Sequence, residues 1–145
     1  LSYYLLDTNV VSELRKGERA DRNVSSWFAD LADGDVFLSV LTIGEIRRGV
    51  ESVRRRDPDS AASLDRWLAH LSEGHADRIL PVDRAIAEEW GRMNVPDPLP
   101  VVDGLLAATA RVLGLTLVTR NVADVEATGV ELLDPFDPTR RGQDP

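Results

Sequence analysis

The chain has 145 residues, no cysteine, and 25 acidic against 17 basic side chains, for a formal charge of -8. That length fits a single domain, and 43% hydrophobic content supplies one ordinary core. Without cysteine there is no disulfide framework and no thiolate zinc or iron–sulfur site, and the acidic balance argues against a broad basic face for nucleic acid. Tyr3 to Leu6 is a short apolar run ending at Asp7 and predicts a first strand. Val10, Val11 and Leu14 predict a brief helix, and Val24, Trp27, Phe28 and Leu31 repeat at the spacing of a second. Val36 to Ser39 is the next strand. Ile43, Ile46, Val50 and Val53 mark a third helix that stops before Asp57-Pro58. Leu64, Trp67, Leu68 and Leu71 form the stripe of a fourth, which ends near Gly74.

Arg78 to Val82 predicts a short strand, followed by a helix with Ile86, Trp90 and Met93 inward. A proline-rich loop covers Asn94 to Pro100. Val102, Leu105, Leu106, Val112 and Leu113 predict the next helix, with Gly114 at its C-cap. Leu115 to Thr119 is a strongly apolar strand, Asn121 to Ala127 a short helix, and Glu131 to Leu133 a last strand. From Asp134 onward the chain is rich in proline and charge, which predicts poor order. We therefore place one domain over residues 1–136 and a tail over 137–145. Strands alternating with helices predict an α/β domain, a three-layer α/β/α sandwich with a central, mostly parallel sheet. Ligand sites in such sheets form at the carboxyl ends of strands.

No apolar run approaches the ~20 residues needed to span a bilayer, and Leu1 to Asp7 lacks the pattern of a signal peptide. These readings, with the absent cysteines, fit a cytoplasmic protein. Four acids stand at or near predicted strand ends, and each has an ordinary explanation. Asp7 suits a helix cap, and Thr42 with Glu45 spells a capping box. Asp103 suits the first turn of its helix, and Asn121 with Asp124 spells another cap pair. Together they approach one edge of a parallel sheet, each at a strand end or in the first helical turn after one. Gly44 and Gly49 beside Glu45, and Gly104 beside Asp103, predict close approach there. Converging carboxylates repel unless a cation joins them, and a hard divalent ion such as Mg2+ or Mn2+ takes oxygen ligands.

The segments Leu5-Leu6-Asp7-Thr8-Asn9, Glu45-Ile46-Arg47-Arg48-Gly49, Asp103 opening an alanine-rich helix, and Thr119-Arg120-Asn121 with Asp124 occur in that order. In this the chain resembles the PIN-domain nucleases and, more narrowly, the VapC-type toxins of toxin–antitoxin modules. The ending Thr128 to Phe136 is similar to the FitB-like branch. The resemblance implies a metal-dependent endoribonuclease that hydrolyses RNA phosphodiesters by metal-activated water. It implies Asp7, Glu45, Asp103 and Asp124 as the catalytic quartet, with Asp7, Asp103 and Asp124 as ligands of Mg2+ or Mn2+. Asn9 and Thr119 match polar positions beside them, and Asn121 is a supporting or substrate contact. The partners implied are a cognate VapB-like antitoxin, a second copy in a homodimer, RNA, and operator DNA only through the antitoxin.

Sixteen of the seventeen cations are arginines, Lys16 being the exception. Arg47, Arg48, Arg54, Arg55 and Arg56 form a local basic stretch. Arg47, Arg48 and Arg120 are therefore candidate contacts to RNA phosphates, against the ordinary reading of a solvated helix face. Trp27, Phe28, Trp67 and Trp90 are core or groove residues, with core favoured by their spacing. A phosphoacceptor aspartate at Asp7 would need a lysine after a later strand, and Lys16 comes too early. The stronger rival is a non-catalytic PIN-like module that binds RNA or protein.

Overall fold

The computed structural model describes residues 2–139. Asp and Ser side chains start most of its helices. β1 (Tyr4–Leu6) ends at Asp7, whose carboxylate caps α1 (Thr8–Leu14). Asp21 caps α2 (Arg22–Ala29) by accepting the amides of Asn23 and Val24. β2 (Val36–Ser39) runs directly into α3 (Val40–Arg54), capped by Ser39. Asp57 and Pro58 then open α4 (Pro58–Gly74), with the proline at the helix start, where its missing N–H is harmless. β3 (Ile79–Leu80) precedes α5 (Arg84–Met93), capped by Asp83. α6 (Val101–Leu113) ends at Gly114, whose φ of 68° is left-handed, as a C-cap glycine requires. β4 (Thr116–Val118), α7 (Val122–Val125) and β5 (Leu132–Leu133) complete the order.

Among the described residues the sheet has five strands in the order β3-β2-β1-β4-β5, and every neighbouring pair is parallel. Leu5 on the central strand pairs with Phe37 on one side and Leu117 on the other. The period of two then divides the core. Tyr4, Leu6, Val36 and Leu38 face one side, with Val10, Val24, Trp27, Ile46, Val50 and Leu68 from α1 to α4. Leu5 and Leu117 face the other, with Leu106, Ala107 and Ala110 of α6 and Val125 of α7. This is the expected three-layer sandwich. The chain winds outward from β1 to β2 and β3, then returns to β4 and β5 on the opposite flank. That reversal puts the topological switch point beside β1, and open α/β sheets bind ligands at the carboxyl ends of strands at such a point.

The predicted elements all form, with three corrections. β3 and β5 are two-residue strands, shorter than the apolar runs that predicted them. Val112 and Leu113 lie in α6 but are 39% and 46% exposed, so they are not part of its inward stripe. The chain from Asp134 is ordered through its first residues. Pro135 is buried, the Phe136 ring packs on the larger core, and Asn23 Nδ2 donates to the Phe136 carbonyl at 3.0 Å. One aromatic side chain outweighs the polar composition around it. Residues 140–145 of the predicted tail lie outside the described residues.

Candidate active site

Asp7 is fixed by the sheet before its side chain does anything. Its amide donates to the Val118 carbonyl at 2.9 Å, extending the β1–β4 ladder by one residue beyond the strand. The carboxylate is 6% exposed, yet both oxygens have donors. Oδ1 accepts the Thr8 amide at 2.7 Å, while Oδ2 accepts the Thr119 hydroxyl at 2.7 Å and Asn9 Nδ2 at 3.2 Å. Burial raises its pKa above the usual aspartate value, and the neighbouring Glu45 charge raises it further. The three donors pull the other way. The cap reading of Asp7 thus holds through Oδ1, while Oδ2 is held by Thr119 and Asn9.

Glu45 does not close a capping box. Ser39 is the true N-cap of α3, accepting the Leu41 amide at 3.0 Å. Thr42 is fully buried inside the first turn, its hydroxyl without a partner among the described residues. Glu45 thus sits in the second turn, not the first, and accepts the Thr8 hydroxyl at 2.5 Å. The sequence reading missed Thr8, although it stood inside the Asp7-Thr8-Asn9 segment. The expected close approach at Gly44 and Gly49 is also absent, since both are exposed and a Cβ there would meet nothing within 4 Å.

Asp103 stands in the first turn of α6, half-buried. Its pKa is raised by burial first, then by the charges of Asp7, Asp124 and Glu45. The four carboxylates thus share one electrostatic neighbourhood although they come from β1, α3, α6 and α7. Gly104 allows a close approach, but to an aromatic ring. A Cβ there would lie 3.1 Å from Cδ1 and Nε1 of Trp90. Asp124 is exposed on α7, where the cap pair does not form through side chains, because Asn121 makes no side-chain cap.

The supporting residues divide. Thr119, 1% exposed, also accepts the Asn121 amide at 3.0 Å and Asn9 Nδ2 at 3.4 Å. Asn9 Oδ1 accepts the Arg120 amide at 3.3 Å, so Asn9 clasps β4 to the Asp7 carboxylate. Asn121 contributes its backbone to this network. Arg47 is already engaged by Asp65 of α4 and Glu51, and Arg54 by the same two acids. Arg48 is exposed. Arg120 is exposed as well, its guanidinium carbon 4.5 Å from the centre of the Phe136 ring. Of the aromatic residues, Trp27 is core, whereas Phe28 and Trp67 line an apolar cleft with Leu6, Leu14 and Arg15.

The donor set is all oxygen. Among the described residues none of the four acids forms an ion pair. Nor do any three acidic or histidine side chains yet stand close enough together to enclose an ion. The carboxylates are near enough to oppose one another's ionisation, and that mutual repulsion is what a hard divalent cation relieves. The residues therefore fit such an ion by the chemistry of their donors.

The pattern of the PIN domain family matches residues 4–123. VapC ribonuclease Y4jK of Sinorhizobium fredii is 31% identical over 142 residues, spanning 92% of this chain and 98% of its own. Toxin FitB of Neisseria gonorrhoeae is 31% identical over 139 residues, spanning 91% and 97%. The crystal structure of FitAcB from Neisseria gonorrhoeae superposes with a TM-score of 0.84 at 30% identity, over 92% of this chain and 98% of that one.

Proposed function

The chain belongs to the PIN-domain family, and from that premise we propose that it is the ribonuclease toxin of a type II toxin–antitoxin module. Its likeness over nearly the whole length to a VapC ribonuclease and to Toxin FitB supports the reading. The observation that supports it most is electrostatic: burial raises the pKa of Asp7 and Asp103, and the charges of Glu45 on Asp7, and of Asp7, Asp124 and Glu45 on Asp103, raise them further.

Asp7, Asp103 and Asp124 would hold a divalent ion, Mg2+ or Mn2+. When bound, such an ion lowers the pKa of water and polarises a phosphoryl oxygen. Glu45, positioned by Thr8, orients the attacking water or adds a further ligand. Thr119 and Asn9 keep the Asp7 carboxylate aimed out of the strand end. Attack by water leaves the ribose 2′-hydroxyl unused, so the products carry a 5′-phosphate and a 3′-hydroxyl. Preference for RNA then arises from contacts to the strand and not from the reaction.

The protein acts with a cognate antitoxin that holds it inactive, and through that antitoxin the complex reaches operator DNA. A homodimer is the expected form of the free toxin. Among the described residues no helix is long and apolar enough to cross a membrane, and we place its action in the cytoplasm. The test is cleavage of structured RNA by protein freed of its partner, with Mg2+ or Mn2+ against chelator, beside Asp7→Asn. Cleavage only by the unaltered protein with metal is expected. Cleavage that survives chelator or the substitution would overturn the mechanism, and binding without cleavage would favour a non-catalytic module.

A further inference from the structure

We propose that Arg120, laid on the ring of Phe136, is a phosphate-binding arm of the RNA site, and that the segment Asp134–Phe136 is thereby part of that site. The proposal rests on the ribonuclease reading above. Arg120 follows Thr119 at the carboxyl end of β4. Its amide donates to Asn9 Oδ1 at 3.3 Å, and Asn9 Nδ2 donates to Asp7 Oδ2 at 3.2 Å. The root of the side chain is therefore two hydrogen bonds from the central carboxylate.

Arg47, Arg54, Arg78, Arg92 and Arg111 each lie on a carboxylate. Arg120, like Arg15, Arg48 and several other exposed arginines, has no carboxylate partner among the described residues. It lies instead against Phe136, 4.5 Å from the ring centre. An arginine stacked on an aromatic face keeps its in-plane N–H donors free, a fork that matches phosphate oxygens.

The shelf is itself held in place. The Phe136 carbonyl accepts Asn23 Nδ2 at 3.0 Å, its amide donates to Asp134 Oδ1 at 2.9 Å, and its ring packs on the larger core. Phe136 is thus a positioning residue acting through Arg120. A polyanionic strand approaching four carboxylates is repelled, and a bordering guanidinium adds to what a bound ion does to offset that repulsion. Arg120 stands at that border and suits a backbone phosphate of single-stranded RNA, read without regard to sequence.

The experiment titrates a labelled oligoribonucleotide against full-length Asp7→Asn protein over a range of salt, with Arg120→Ala, Arg120→Lys or Phe136→Leu added. In the active protein the same changes are followed by separate KM and kcat. We expect Arg120→Ala to weaken binding severalfold at low salt and to reduce the salt slope by ~0.7, the share of one phosphate contact on a single strand. Arg120→Lys keeps the slope with lower affinity, Phe136→Leu falls between, and KM rises while kcat stays near its original value. An unchanged salt slope and KM in Arg120→Ala would overturn the proposal while leaving a cleaving, metal-dependent enzyme intact. Failure of the unsubstituted protein to bind or cleave RNA would instead overturn the ribonuclease reading on which it rests.

Discussion

The Thr8 hydroxyl donates to Glu45 Oε1 at 2.5 Å while the amide of the same residue donates to Asp7 Oδ1 at 2.7 Å. One residue therefore fastens two carboxylates whose charges oppose each other. The bond joins α1 to α3 across a sequence separation of 37 and fixes the Glu45 carboxylate against the start of α1. Thr8→Val removes the donor at nearly constant volume. A hydrogen bond to a charged group contributes about 1.5–3 kcal/mol, so RNA cleavage should fall roughly tenfold or more. Thr8→Ser should restore most of it. Steady-state cleavage rates for the three proteins check this, and equal rates would show that Glu45 needs no such tether.

Asp103 offers a test of the electrostatics that needs no RNA. Its pKa in the folded chain is raised by burial and by Asp7, Asp124 and Glu45. A carboxyl that binds its proton more tightly folded than unfolded makes stability fall as pH rises from the ordinary aspartate value through the raised one. Asp103→Asn should therefore raise the melting temperature of the metal-free protein at neutral pH. The gain should vanish near pH 3, where both states of the wild type are protonated. Added Mn2+ should stabilise the wild type more than the substituted protein.

Gly104 tests how the start of α6 is held. A methyl group there would meet the Trp90 indole at 3.1 Å and Leu99 Cβ at 3.4 Å. The helix gains about 1 kcal/mol of propensity from alanine, but crowding an aromatic ring commonly costs about 1–3 kcal/mol. Gly104→Ala should lower stability to chemical denaturation and shift tryptophan emission, since Trp90 must move.

Arg47 and Arg48 differ in what already holds them. The Arg47 guanidinium is taken by Asp65 and Glu51. Arg47→Ala should leave the salt dependence of RNA binding almost unchanged, whereas Arg48→Ala, at an exposed residue with no ion pair among the described residues, should reduce it. Titrations at several salt concentrations compare the two.

The layers and the parallel sheet were legible because they depend on local period and on the alternation of strands with helices. Thr42 misled because a capping box and a buried threonine share one spelling, and only the continuity of β2 into α3 makes Ser39 the cap. The pairing of Arg47 with Asp65 was hidden by a sequence separation of 18. Thr8 was hidden for the same reason. Phe136 was undervalued because composition averages over neighbours, while its ring finds the core singly. The bulk charge of -8 constrained the manner of RNA recognition without excluding it. Several of the acids behind that figure form the proposed ion site, bordered by Arg120.

The most direct measurement is a Mn2+ titration of the partner-free protein, followed by electron paramagnetic resonance, for wild type, Asp7→Asn and Asp103→Asn. The account predicts saturable binding by the wild type that is lost or weakened at least tenfold in both substituted proteins. Equal Mn2+ binding by all three would contradict it, because the ion would then sit elsewhere than among these carboxylates.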